Sequence, residues 1–245
     1  MSSQPVNSAK SSPWLMLAAR AILFFLFQLV IAIILAISGT PNAFAASAKW
    51  WPVSVLLTNL VCVVLLDRLY KREGLRFWDI FRINKATVKS DLIALLLLFP
   101  VIGALGFFPN LLLGKWLFGD SLIALGMYIQ PLPLWGTLAA VILFPITQGL
   151  AELPTYFGYV MPRLESQTGR SWLAVILAGF FLSIQHVFAP LILDYRFISW
   201  RALMFLPFAI ATGMILRWRP RLMPYMALIH ILMDFSLAPY FLGGL

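Results

Sequence analysis

The chain has 245 residues, of which 62% are hydrophobic and only 11% are charged. Water-soluble domains of this length carry a larger charged fraction, so the composition predicts an all-α polytopic transmembrane helical bundle. The net charge of +9 does not indicate nucleic-acid binding, because most basic residues lie in short stretches between apolar runs. We therefore expect the lipid bilayer, and no nucleic acid, as a partner.

Residues 1–20 are predicted to form a cytoplasmic tail, and residues 21–245 a single transmembrane helical domain. The first span covers residues 21–37, and its length favours an uncleaved anchor over a secretory signal. The other predicted spans are 53–66, 92–113, 134–159, 172–188, 203–216 and 222–241. This makes seven spans, or eight if residues 114–133 re-enter the membrane. Prolines are expected to bend or break the span 92–113 and to interrupt the span 134–159.

The basic residues are distributed unevenly between the two sides of these spans. Seven of the 18 Lys and Arg residues lie in the stretch 67–89 alone, on the same side as the N-terminus. The opposite side holds only Lys49, Lys115, Arg196 and Arg201. The positive-inside rule then predicts an integral protein of the plasma (inner) membrane with a cytoplasmic N-terminus. Each of the nine tryptophans flanks a span, as in an interfacial aromatic belt.

Four ionisable residues lie inside three of the apolar runs: Glu152, His186, His230 and Asp234. Such residues are costly in hydrocarbon and usually face a partner, a bundle interior or a water-filled cavity. His230 and Asp234 are four positions apart and therefore share one helical face. If the four residues converge, Glu152 is suited to act as a general base on water, while the histidines orient that water and stabilise an oxyanion.

Other interpretations of these residues remain open. Intramembrane histidines also serve as hydrogen-bond partners between helices, and Glu152 could bind a bent backbone near Pro154. The same groups would suit a small transporter or proton relay. Two His with Glu or Asp also form a zinc-ligand set, but the H-E-x-x-H signature is missing, so we expect no metal and no other cofactor.

Helix length alone does not place the four residues at one depth. At about 1.5 Å per residue from the flanking basic residues, Glu152 lies about 16 Å deep and His230 about 14 Å, whereas His186 lies about 24 Å deep. A common site requires the fifth helix to begin later than Trp172 or to be tilted.

Three short motifs surround these residues. Residues 152–157 read ELPTYF and are followed by GYVMPRL, residues 182–186 read LSIQH, and residues 230–234 read HILMD after the approach RPRLMP. Their order and spacing over about residues 134–238 resemble the CPBP family of intramembrane endopeptidases. That family contains the type II CAAX prenyl proteases and bacterial relatives linked to bacteriocin processing or self-immunity, and its motifs are EExxxR, FxxxH and HxxxN or HxxxD.

The resemblance implies a metal-independent glutamic endopeptidase that cleaves a membrane-associated peptide or protein near the cytoplasmic face. By this resemblance Glu152 matches the water-activating glutamate and His186 the histidine that helps to position the water. His230 and Asp234 match the pair assigned to the oxyanion site.

The chain departs from the first two motifs. Leu153 replaces the second glutamate of EExxxR, Phe157 replaces its arginine, and Leu182 replaces the phenylalanine of FxxxH. Removing a buried carboxylate together with its guanidinium partner leaves no unpaired charge, so we predict that apolar packing replaces this ion pair. The same loss favours an alternative function: a catalytically inactive relative that acts as a membrane binding or immunity factor.

Overall fold

The computed structural model describes residues 12–243, and every regular element within them is a helix. Seven helical segments are long and apolar enough to cross a membrane, which confirms the all-α polytopic architecture and the count of seven. Numbered in chain order, they are α1 (Ser12–Ile37), α2 (Ala43–Arg72), α3 (Val88–Phe118), α4 (Leu134–Thr168), α5 (Ser171–Phe188), α6 (Tyr195–Trp218) and α7 (Pro220–Gly243).

The first helix begins at Ser12, well before the Ala21 that the sequence predicted. The predicted boundary was wrong because it treated Arg20 as a tail charge that would end the apolar span. Arg20 is instead fully buried among polar side chains of the bundle, so it needs no water and does not interrupt the helix. Residues 1–11 of the predicted tail lie outside the described residues.

Prolines do not break the spans that contain them. Helix α3, which the sequence predicted to be bent or broken at Pro100 and Pro109, continues unbroken through both. In α4 the prediction of an interruption was also wrong, since π-helical turns at Ala139–Leu143 and Pro154–Val160 keep the segment helical. Proline lacks the N–H of a regular turn, and local π geometry is one way in which membrane helices tolerate that loss. Glu152 lies directly before the second π turn.

The connection between α3 and α4 lies over one end of the bundle. It contains a six-residue helix, Ser121–Gly126, which Asp120 caps by accepting a hydrogen bond from Leu122 N at 2.9 Å. This helix is too short to cross a bilayer, so the count stays at seven. Tyr128, which follows it, is buried and packs on Trp51 and Trp200.

The aromatic belt is only partly as predicted. Six tryptophans are exposed on the outer surface of the bundle: Trp14, Trp78, Trp116, Trp135, Trp172 and Trp218. Trp51 and Trp200 are buried, and the Trp200 indole donates to the backbone oxygen of Asn110 at 3.1 Å. These two belong to an internal aromatic cluster because the α3–α4 connection covers them.

Helix α4 is the central helix and packs against both α2 and α7. Gly149 lets α7 approach closely, since a Cβ atom at this position would lie 2.7 Å from the backbone oxygen of Ala227 and 2.4 Å from the Ile231 side chain. One turn beyond this crossing, α4 carries Glu152 and α7 carries His230. The close crossing therefore brings two of the predicted site residues together.

Candidate active site

A cavity of about 180 Å³ lies inside the bundle, and all four predicted site residues line it. Glu152 is 2% exposed and belongs to α4, while His186 comes from the end of α5. His230 and Asp234 come from α7. The structure thus brings together every residue that the sequence proposed as catalytic.

The carboxylate of Glu152 lies between the two histidines. Its Oε2 atom is 3.9 Å from Nε2 of His186, and its Oε1 atom is 3.7 Å from Nε2 of His230. Both separations exceed a hydrogen bond, so neither ring bonds directly to the carboxylate. His186 was expected to lie deeper than Glu152, and that expectation is wrong even though α5 begins at Ser171. The number of residues between a loop charge and a side chain does not fix the relative heights of neighbouring helices.

The tautomer of His186 follows from its backbone contacts. Its Nδ1 atom is 2.9 Å from the carbonyl oxygen of Leu182 and 3.2 Å from that of Ser183. Carbonyl oxygens only accept, so Nδ1 carries the hydrogen. In the neutral ring Nε2 is then an acceptor, and this atom faces Glu152. The ring also packs against Phe205, with centroids 4.7 Å apart.

His230 and Asp234 form the other wall of the site. Nε2 of His230 is 3.5 Å from Oδ2 of Asp234, one turn along α7. Within residues 12–243, Nδ1 of His230 and Oδ2 of Asp234 are buried and have no hydrogen-bond partner. Buried polar atoms without partners are rare in proteins, so these two atoms are expected to meet water or substrate.

Two glutamines that the sequence analysis did not identify hold Glu152 in place. Gln148 Nε2 and Gln185 Nε2 both donate to Oε2 of Glu152, the second at 2.8 Å. The Oε1 atom of Gln185 also accepts from the Tyr156 hydroxyl at 3.2 Å. Their positions offered a signal: Gln148 precedes Glu152 by one helical turn, and Gln185 is adjacent to His186.

The same glutamines link Glu152 to a buried cation. Arg20 donates from Nε to Gln185 Oε1 at 2.7 Å and from Nη2 to Gln148 Oε1 at 3.0 Å. Its Nη1 donates to Asn59 Oδ1 at 2.9 Å, and Nη2 lies 3.7 Å from Glu152 Oε2. Arg20 therefore balances the Glu152 charge inside the bundle, a role that the sequence analysis missed when it placed Arg20 in the tail.

The residues that depart from the first motif lie in the apolar core. Leu153 and Phe157 are 1% and 3% exposed, and both belong to the main hydrophobic cluster. Phe157 packs so tightly on α6 that a Cβ atom at Gly213 would lie 2.9 Å from its ring. Apolar packing at these two positions is as the sequence predicted, while the cation next to Glu152 comes from α1.

A second buried ion pair lies away from the cavity. The guanidinium of Arg163 donates from Nε to Glu73 at 2.9 Å and from Nη1 to the Tyr159 carbonyl at 2.9 Å, and it stacks on the Tyr70 and Tyr159 rings. Arg163 thus joins the end of α2 to α4. We assign it a structural role.

The cavity lies in the half of the bundle opposite to the basic segment 67–89. Besides the four site residues, it is lined by Trp51 at the start of α2, by Tyr128 after α3, by Ala189 after α5 and by Leu237 near the end of α7. Successive spans cross in alternating directions, so these positions share one end.

Within residues 12–243, no three His, Cys, Asp or Glu side chains are arranged so that they could hold a metal ion. Comparison of the chain with protein-family models, with curated proteins and with solved structures gives no match.

Proposed function

We propose that this chain is an intramembrane endopeptidase that hydrolyses a peptide bond of a membrane-associated peptide or protein by means of glutamate-activated water. The observation that carries the proposal is the convergence of Glu152 with two histidines from separate helices on one internal cavity. A carboxylate and two imidazoles around a small cavity are suited to general acid–base chemistry.

Glu152 and His186 would hold the attacking water together. Nε2 of His186 is an acceptor, and Oε1 of Glu152 takes part in neither glutamine hydrogen bond, so one water molecule in the cavity can donate a hydrogen to each. Its oxygen lone pairs are then free to attack the scissile carbonyl carbon. Glu152 takes the water proton as the C–O bond forms and delivers it to the amide nitrogen as the C–N bond breaks.

His230 would stabilise the oxyanion of the tetrahedral intermediate. Its Nε2 atom lies within 4 Å of carboxylate oxygens of both Glu152 and Asp234, which favours a hydrogen on this nitrogen. An N–H on this nitrogen could donate to a developing oxyanion in the cavity. Asp234, 3.5 Å away, would favour this tautomer electrostatically.

The test is cleavage of a library of membrane-associated peptides by detergent-purified protein, read by mass spectrometry. Glu152→Gln should abolish cleavage, a loss of at least about 10²-fold, because the amide cannot take the water proton. Glu165→Gln is the matched control, since Glu165 pairs with Arg217 at a helix end away from the cavity.

A chelator should leave cleavage unchanged, and loss of cleavage with chelator would favour the metal alternative. Full activity of a Glu152→Gln chain expressed at normal level would contradict the glutamate mechanism.

The alternative function is that of an inactive relative that acts as a binding or immunity factor. The apolar residues Leu153 and Phe157 favour it, since they replace two charged groups of the first motif. A chain that acts in this way keeps its cellular effect when Glu152 is replaced but loses it when the spans are disrupted.

A further inference from the structure

Arg201 is a second buried cation of the cavity, and the mechanism above does not use it. It is 4% exposed and lines the same cavity as Glu152. The sequence placed it in a loop outside the membrane, but it lies inside the first helical part of α6, Tyr195–Leu203. A cation in such a position usually marks a functional site.

The contacts of Arg201 are with neutral groups. Its Nε donates to the His186 carbonyl at 2.9 Å, and its Nη2 donates to the Ala189 carbonyl. The guanidinium also lies over the Tyr128 ring, 4.9 Å from its centroid. Among residues 12–243, no carboxylate oxygen lies within 4.0 Å of a guanidinium nitrogen of Arg201.

The other two buried arginines differ in this respect. Arg20 has Glu152 at 3.7 Å, and Arg163 has Glu73 as a direct partner. Glu152 and Asp234 line the same cavity as Arg201, but neither carboxylate pairs with it directly. A buried guanidinium without a direct ion-pair partner is costly, and backbone dipoles offset only part of that cost, so Arg201 is free to pair with a carboxylate of a ligand.

We propose that Arg201 binds a carboxylate of the peptide substrate and so determines which peptides occupy the cavity; this rests on the proposed function. A guanidinium recognises a carboxylate through paired charge-assisted hydrogen bonds. His186 connects the two subsites, since its backbone oxygen accepts from Arg201 while its ring faces Glu152. The bound carboxylate thus lies next to the scissile bond.

The carboxylate can be the C-terminus of the peptide or an acidic side chain, and three fluorescent apolar tetrapeptides distinguish these sources. One has a free C-terminus, one is its C-terminal amide, and one is an amide that contains a single glutamate. Binding is measured by fluorescence anisotropy in detergent on the Glu152→Gln chain, so that no peptide is cleaved.

We expect at least one carboxylate peptide to bind about tenfold or more tightly than the neutral amide. Adding Arg201→Gln to this chain should bring the ratio of the two affinities to about one, while the affinity for the neutral amide is retained. Damage to the His186 turn would not produce such a selective effect. If this variant does not fold, Arg201→Lys keeps the cation and should retain a smaller preference.

Equal binding of all three peptides, or no binding of any, would overturn the proposal, as would a preference that survives in Arg201→Gln. Displacement of the carboxylate peptide by phosphatidylglycerol, dependent on Arg201, would instead assign the site to a lipid phosphate. Cleavage that persists in the Glu152→Gln chain would refute the proposed function while leaving the carboxylate preference standing.

Discussion

Glu152 keeps its place inside the bundle through two glutamines, each of which donates to the carboxylate and accepts from Arg20. The side-chain amides of the two glutamines therefore connect the Arg20 guanidinium to the Glu152 carboxylate by hydrogen bonds. This arrangement leaves Oε1 of Glu152, which lies 3.7 Å from Nε2 of His230, without a glutamine hydrogen bond. The same contacts therefore satisfy a buried charge and orient the proposed general base.

At the residue scale, we expect Arg20→Met to destabilise the protein by about 3–5 kcal/mol, because it leaves a buried carboxylate without its cation. The double variant Arg20→Met with Glu152→Gln should lose at least about 1 kcal/mol less than the sum of the single losses. Thermal unfolding in detergent measures this cycle. Arg82→Met, which breaks an exposed pair with Asp79, is the control and should change stability by less than about 1 kcal/mol.

Additive effects of Arg20→Met and Glu152→Gln would show that the two groups do not interact, contrary to the network described above.

At the scale of elements, the site depends on the crossing of α4 and α7 at Gly149. Glu152 follows this glycine by one turn on α4, and His230 lies one position before Ile231, the side chain that a Cβ atom at 149 would strike. The second π turn of α4, Pro154–Val160, begins just after Glu152. The glycine crossing and the π turn thus flank Glu152, the proposed general base, on both sides.

We expect Gly149→Ala to lower the unfolding temperature and to reduce peptide cleavage about tenfold or more, because α7 must move away from α4 and take His230 with it. Gly103→Ala is the matched control, since a Cβ atom there meets nothing within 4 Å. Unfolding and cleavage are measured on both variants. Equal behaviour of the two would show that the crossing is not what positions His230.

At the scale of the whole molecule, polarity is divided between the two ends of the bundle. The long basic segment lies at one end, and the cavity lies in the other half. The positive-inside rule predicts a cytoplasmic N-terminus, and we then expect the cavity in the outer half of the bilayer.

Labelling of single cysteines in intact cells with a membrane-impermeant maleimide tests this orientation. The one native cysteine, Cys62, is fully buried and should not react. We expect Leu193→Cys, at a position that is 78% exposed between α5 and α6, to react from outside. Lys85→Cys, in the basic segment, should react only after permeabilisation. The reverse pattern would place the cavity in the cytoplasmic half.

The sequence by itself determined the class of protein, the number of spans and the four residues that meet in the cavity. Apolar runs long enough to cross a bilayer are a strong signal, because backbone exposed to hydrocarbon must form a helix. Acids or histidines inside such runs are a second strong signal, because an unpaired charge is costly in hydrocarbon. Only the tertiary structure showed that Arg20 and Arg201 are buried, that two glutamines hold Glu152 and that the cavity lies away from the basic loops. These features depend on which helices are neighbours and on their relative heights, which the periodicity of a single helix does not encode.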